Sequence, residues 1–118
     1  MGNKNLTPRI SVNLNENCLY IGKDTIRQLG CPSFVCILQN YDQNRIAITP
    51  CEEKLVTSFK VPDGFPAVKS KKFRIHSSAY VESIVERAPW MTQSSNVLLG
   101  KYDEDHNAVV FELAAPEE

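Results

Sequence analysis

The sequence predicts a mainly β chain with short helices, an α+β arrangement of two β-rich halves. Three observations carry this reading. Short alternating apolar runs recur between turn-forming clusters, only two stretches have helical spacing, and the order strand, helix, hairpin occurs twice. Hydrophobic residues make up 42% of the 118 positions, enough to fill the core of one ordinary domain.

Arg9-Ile10-Ser11-Val12-Asn13-Leu14 alternates polar and apolar as a half-buried strand does, and Asn15-Glu16-Asn17 is turn chemistry. Leu19 and Ile21 continue as the return strand, so Ile10 to Ile21 is a first hairpin. Asp24 or the segment just before it can cap a short helix carrying Ile26 and Leu29, which Gly30 and Pro32 end. Phe34 to Leu38 is apolar and β-branched enough for a buried strand; Tyr41 to Asn44 is a turn, and Arg45-Ile46-Ala47-Ile48 alternates again. Leu55 to Val61 is a further strand candidate, followed by a loop at Pro62 to Pro66. Phe73 and Ile75 begin the second round, in which Ser77 or Ser78 caps a helix with Tyr80, Val81, Ile84 and Val85 on one stripe. Val97 to Leu99, the turn at Tyr102 to Asn107 and the strand at Ala108 to Phe111 complete it. The expected core contains Ile21, Leu29, Ile37, Ile48, Ile75, Ile84, Leu98 and Val110.

Ile21-Gly22, Ile26-Arg27 and Leu29-Gly30, followed by a hairpin, resemble the AbrB/SpoVT family of swapped-hairpin DNA-binding domains. Gly22 stands where that family usually carries proline, and Ile26-Arg27 sits one place later than its usual position. Half-domains of this family are incomplete alone and interleave in pairs, so the resemblance implies a pseudo-dimer in which one chain supplies both halves. The divisions expected on this basis are a loose N-terminus over 1–9, a first AbrB-like half over 10–50, a packed connector over 51–72, a second half over 73–113 and an acidic tail over 114–118. A single chain with its hairpin partner inside is expected to be a monomer.

Charge is lopsided along the chain. Residues 1–50 and 51–72 each carry five basic and three acidic groups, whereas 73–118 carries three basic and eight acidic, giving +2, +2 and −5 within a total of −1. The basic half, read with the resemblance, implies a transcriptional regulator that contacts duplex DNA through Arg9, Lys23, Arg27, Arg45, Lys71, Lys72 and Arg74. The acidic half supports a second reading, a protein-binding module of antitoxin-like or phage-derived inhibitor type that engages a basic partner. Its candidates are Trp90 and Met91, expected to be exposed after the second helix, and the acidic turn Asp103, Glu104 and Asp105.

Neither histidine, His76 nor His106, has the makings of a triad around it, and no Gly-rich phosphate loop or EF-hand spacing occurs. Cys18, Cys31, Cys36 and Cys51 form no Cys-x-x-Cys pair and are read as small apolar residues with reduced thiols. The chain is therefore expected to be no enzyme, to hold no metal or cofactor, and to be cytoplasmic, since no apolar run approaches the roughly 20 residues of a membrane span.

Overall fold

The structure is a computed structural model that describes residues 6–51, 58–65 and 72–114. Among these, the chain reverses three times through the same kind of four-residue turn. β1 (Arg9–Asn13) returns as β2 (Cys18–Gly22), β3 (Phe34–Asn40) as β4 (Arg45–Cys51), and, later in the chain, Ser95–Asp103 as Ala108–Glu112. The residue that opens each turn turns its side-chain oxygen back on the turn: Asn13 accepts from the Glu16 N–H at 2.8 Å, Asn40 from Gln43 at 3.0 Å, and Asp103 from Asp105 at 3.1 Å. The last turn residue is an asparagine in the left-handed region, with φ of 55° at Asn17, 55° at Asn44 and 48° at Asn107. Asparagine tolerates that backbone where most residues are strained.

Between the hairpins lie α1 (Lys23–Gln28), β5 (Ser58–Lys60), β6 (Lys72–His76) and α2 (Ser78–Arg87), which make Ser95–Asp103 β7 and Ala108–Glu112 β8. α1 starts directly from the end of β2 and stops in a Schellman motif, the Gly30 N–H reaching Arg27 O and the Cys31 N–H reaching Ile26 O. In α2 the Ser77 hydroxyl caps the helix by accepting from the Tyr80 N–H, and Val81 and Ile84 face inward. No helix among the described residues is long and apolar enough to cross a membrane.

The eight strands among the described residues join one antiparallel sheet in the order β5, β3, β4, β8, β7, β1, β2, β6, which nearly closes on itself. Early and late hairpins thus alternate around it: β1 pairs β7, β4 pairs β8 and β2 pairs β6. One core fills the interior, with Val12, Ile21, Ile26, Ile48, Ile84 and Phe111 at 1% exposure or less. The expected core residues are buried with one correction: Val110 is half-exposed, and Val109, Phe111 and Leu113 point inward instead. Of the expected strand at Leu55 to Val61, only Ser58–Lys60 falls in the described residues as a strand, and residues 115–118 of the tail lie outside them.

The cysteines also differ from expectation. Cys18 is buried and free, Cys31 is exposed, and Cys36 is joined to Cys51 by a disulfide with Cα atoms 6.3 Å apart. The register explains the pairing. Cys36 lies opposite Thr49, so Cys51, two residues further along β4, shares the outer face with Cys36 on the neighbouring strand. Spanning 15 residues, the bond should stabilise the oxidised protein by about 3 kcal/mol through the unfolded state. Chemical denaturation of Cys51→Ser against the oxidised parent should show that loss, and no loss when both are reduced.

Gly100 is required by a neighbour rather than by its own backbone. It faces Phe111 across the β7 and β8 pair, and a Cβ there would sit 2.6 Å from a Phe111 ring carbon and 2.6 Å from a Val109 methyl. Both neighbours are fully buried and have little room to yield. Gly100→Ala should therefore destabilise the fold by about 1–3 kcal/mol through overpacking, measured as a lower urea midpoint with an unchanged slope.

Candidate nucleic-acid interface

Four of the basic residues singled out by sequence converge on one groove of about 460 Å³: Arg9 from β1, Lys23 and Arg27 from α1, and Lys72 from β6. Ser11, Tyr20 and Gly22 also line it. Local structure places each cation. The Thr25 hydroxyl, fully buried, accepts from the Arg9 N–H and donates to the Arg9 carbonyl, both at 3.0 Å, and so ties α1 to the start of β1. Gly22 leaves space for the Arg9 stem: a Cβ at this position would lie 3.1 Å from Arg9 Cγ and 3.2 Å from its carbonyl oxygen. The proline usual here in the swapped-hairpin family would carry that crowding carbon.

On the other side of the groove, β2 pairs with β6 so that Gly22 faces Lys72 and Tyr20 faces Arg74. The Lys72 ammonium stands 4.4 Å above the centre of the Tyr20 ring, a cation–π contact that aims it along the surface. The Tyr20 hydroxyl donates to Glu16 at 2.7 Å, and Arg74 lies 3.8 Å from the same carboxylate oxygen. This hydrogen bond holds the Glu16 carboxyl below its ordinary range and pushes the Tyr20 hydroxyl up. Burial, and then the bond to Glu16, raise the neighbouring Cys18 thiol.

One carboxylate, Asp24, belongs to the groove. It accepts from the Thr7 N–H at 2.9 Å and pairs with Arg27 at 3.3 Å. Exposed pairs of this kind are worth about 0–1 kcal/mol, so an incoming phosphate can displace Asp24 from Arg27 at small cost. With four cations and one carboxylate among its described lining residues, the groove carries a net positive charge.

The remaining candidates lie elsewhere. Arg45 lies on β4, half the sheet away from β2 and β6 in strand order, its Nε 2.6 Å from Glu112, and Lys71 falls outside the described residues. Trp90 and Met91 do not form the exposed anchor expected of them. Met91 is only 3% exposed, and the half-buried Trp90 packs against the core with its indole N–H donating to the Leu113 carbonyl at 2.9 Å. Met91, two residues after Pro89, turns inward just past the end of α2, where its N–H bonds back to the Ala88 carbonyl.

Asp103 ends β7 half-buried, and Glu104 and Asp105 open the exposed turn to β8. Asp103 Oδ2 lies 2.8 Å from His106 Nδ1, which lowers the Asp103 carboxyl and raises the His106 imidazole from their ordinary values. Asp103 therefore stays ionised further into acid and His106 stays protonated further toward alkali. The pair's contribution is complete between the ordinary Asp and His ranges, lost as pH rises through the raised His106 value and lost again as it falls through the lowered Asp103 value. An NMR titration of His106 should give a midpoint above 6.5 that returns toward it in Asp103→Asn. A parent midpoint at or below 6.5 would contradict the pairing.

Sequence reasoning named the four cations that line the groove among seven candidates, but not the residues packed against them. Thr25, Gly22 and Tyr20 drew no attention as site residues, although Thr25 was legible as a polar residue beside Ile26 on a short helix. No protein-family model matches the chain, and neither does any curated protein or solved structure.

Proposed function

We propose that the chain is a DNA-binding transcriptional regulator of AbrB-like, swapped-hairpin type, built as a pseudo-dimer within one polypeptide, and that the groove holds the phosphate backbone of a duplex. The observation that carries this is the convergence on a single groove of Arg9, Lys23 and Arg27, from β1 and α1, with Lys72 from β6, some fifty residues further along the chain. Cations on rigid strands and a helix meet phosphates with little ordering cost. The tie between Lys72 and the Tyr20 ring costs little to give up for a phosphate oxygen.

Strand pairing supports the two-half reading. Setting β1, β2, β3 and β4 equivalent to β5 of the connector and to β6, β7 and β8 turns every pairing among the described strands into itself or another observed pairing, apart from β1 with β2. The pairing that would answer that one, β5 with β6, is the one that would close the sheet. The pairs Tyr20 with Arg74 and Ala47 with Val110 then map onto themselves, as residues on a pseudo-two-fold axis must.

Binding to a labelled duplex across a salt series tests the function. Each phosphate contact releases counterions, so four contacts give a slope of log affinity on log salt of about −3.6. Arg9→Ala with Lys72→Ala should flatten it by about two units and weaken all sequences alike, while Arg45→Ala should leave it unchanged. An affinity no tighter than about 100 μM at low salt would sink the reading.

A further inference from the structure

The large apolar side chains left exposed among the described residues are Leu38, Tyr41, Val97, Leu99 and Tyr102, and all lie on β3, β7 or the turn that follows β3. β4 and β8 run between those two strands. Across them the register sets Leu38 opposite Ala47, Ala47 opposite Val110 and Val110 opposite Lys101, with Leu99 two places along β7 on the same face. Ala47 and Val110 are half-exposed, so they bridge the exposed leucines into one strip. In the sheet order this strip is centred on the β4 and β8 pair, half the sheet away from the β2 and β6 pair that borders the basic groove. Scattered exposed leucines are ordinary, but a contiguous apolar strip on a sheet face marks a contact surface.

The rim of the strip says what kind of partner fits. Arg45 and Glu112 face each other across β4 and β8 beside Ala47 and Val110, Lys101 ends the central row, and Asp103 begins the acidic turn next to it. Cations and carboxylates therefore alternate around the apolar residues. A uniformly basic or acidic partner would meet like charge on part of this rim, whereas the same face, turned about a two-fold axis that runs along the strands between β4 and β8, sets Arg45 over the Glu112 of the second copy and Glu112 over its Arg45. We propose that this face docks a second copy of the chain, giving an isologous homodimer joined through the outer faces of β3, β4, β8 and β7. The proposal revises the monomeric state expected from one chain supplying both halves, and it does not rest on the groove binding DNA.

Four strands spaced about 4.8 Å apart make a strip about 14 Å wide, at the small end for a specific interface, so the pair is a micromolar, reversible one rather than obligate. Sedimentation of the full chain without DNA, from about 2 to about 200 μM, tests it at the concentrations such a pair requires. The weight-average mass should rise from 13.3 kDa toward twice that value. Leu99→Glu should hold it at 13.3 kDa throughout. Leu99 is 64% exposed, so the variant should fold, which its circular dichroism checks. Leu38→Lys, on the far side of the strip, should have the same effect. A parent that stays at 13.3 kDa up to about 200 μM overturns the proposal and leaves the face to a foreign protein. Dimerisation unaffected by both substitutions overturns it as well, by placing the contact elsewhere.

Discussion

Pairing between strands distant in sequence is the constraint on which the rest of the molecule depends. β4 finds its second neighbour in β8 and β2 finds its in β6, so every early hairpin borrows an edge from the late part of the chain. Neither part could leave those edges bare without exposing rows of unpaired N–H and C=O groups. The core is shared for the same reason: Ile21 and Phe73 face each other across β2 and β6, and Ile46 meets Phe111 across β4 and β8. Such contacts close long loops before they return any energy, which makes for slow, cooperative folding of the whole rather than of its parts.

The basic groove is a consequence of this frame. Lys72 lies some fifty residues from Lys23 along the chain, and only the β2 and β6 ladder brings the two parts of the groove together. Within it, precision comes from small residues. Thr25 spends its single hydroxyl on both backbone groups of Arg9, and Gly22 yields the space that the arginine stem crosses. The ion pairs at the surface, Arg27 with Asp24 and Arg74 with Glu16, are the replaceable part; the buried threonine is the fixed part.

Much of the frame was legible because its signals are local. The alternation around Ile10 and Val12, the glycine that ends α1 and the serine that caps α2 each act within a few residues, and sequence reveals such things. Turns were legible as turns, yet the common rule, an Asx before each and an asparagine at its end, was on the page at Asn13 to Asn17, Asn40 to Asn44 and Asp103 to Asn107 without being drawn out. What stayed hidden depends on register or on packing. Ala108 to Phe111 is apolar on both faces, so periodicity could not say that Val109 rather than Val110 turns inward. The bond between Cys36 and Cys51 and the ion pair of Arg45 with Glu112 need strands to be aligned residue by residue before they can be seen. Met91 sinks into the core just past the end of α2, and nothing in its immediate neighbours states that.

Gly100 and Phe111 occupy the fourth pair back from the β7 and β8 turn, and in the other large hairpin the fourth pair back is Ile37 with Ile48. The same interior slot is thus filled once by two side chains of equal size and once by a single large ring lying over a bare backbone. Volume is conserved by the pair, not by either position. Neither Gly100 nor Phe111 can drift independently over mutational time, because enlarging the glycine without shrinking the phenylalanine passes through an overfilled state, and the reverse order passes through a cavity. The hairpin is therefore held in its present composition by the lack of a single-step route to its neighbour's solution, even where that solution would fit equally well.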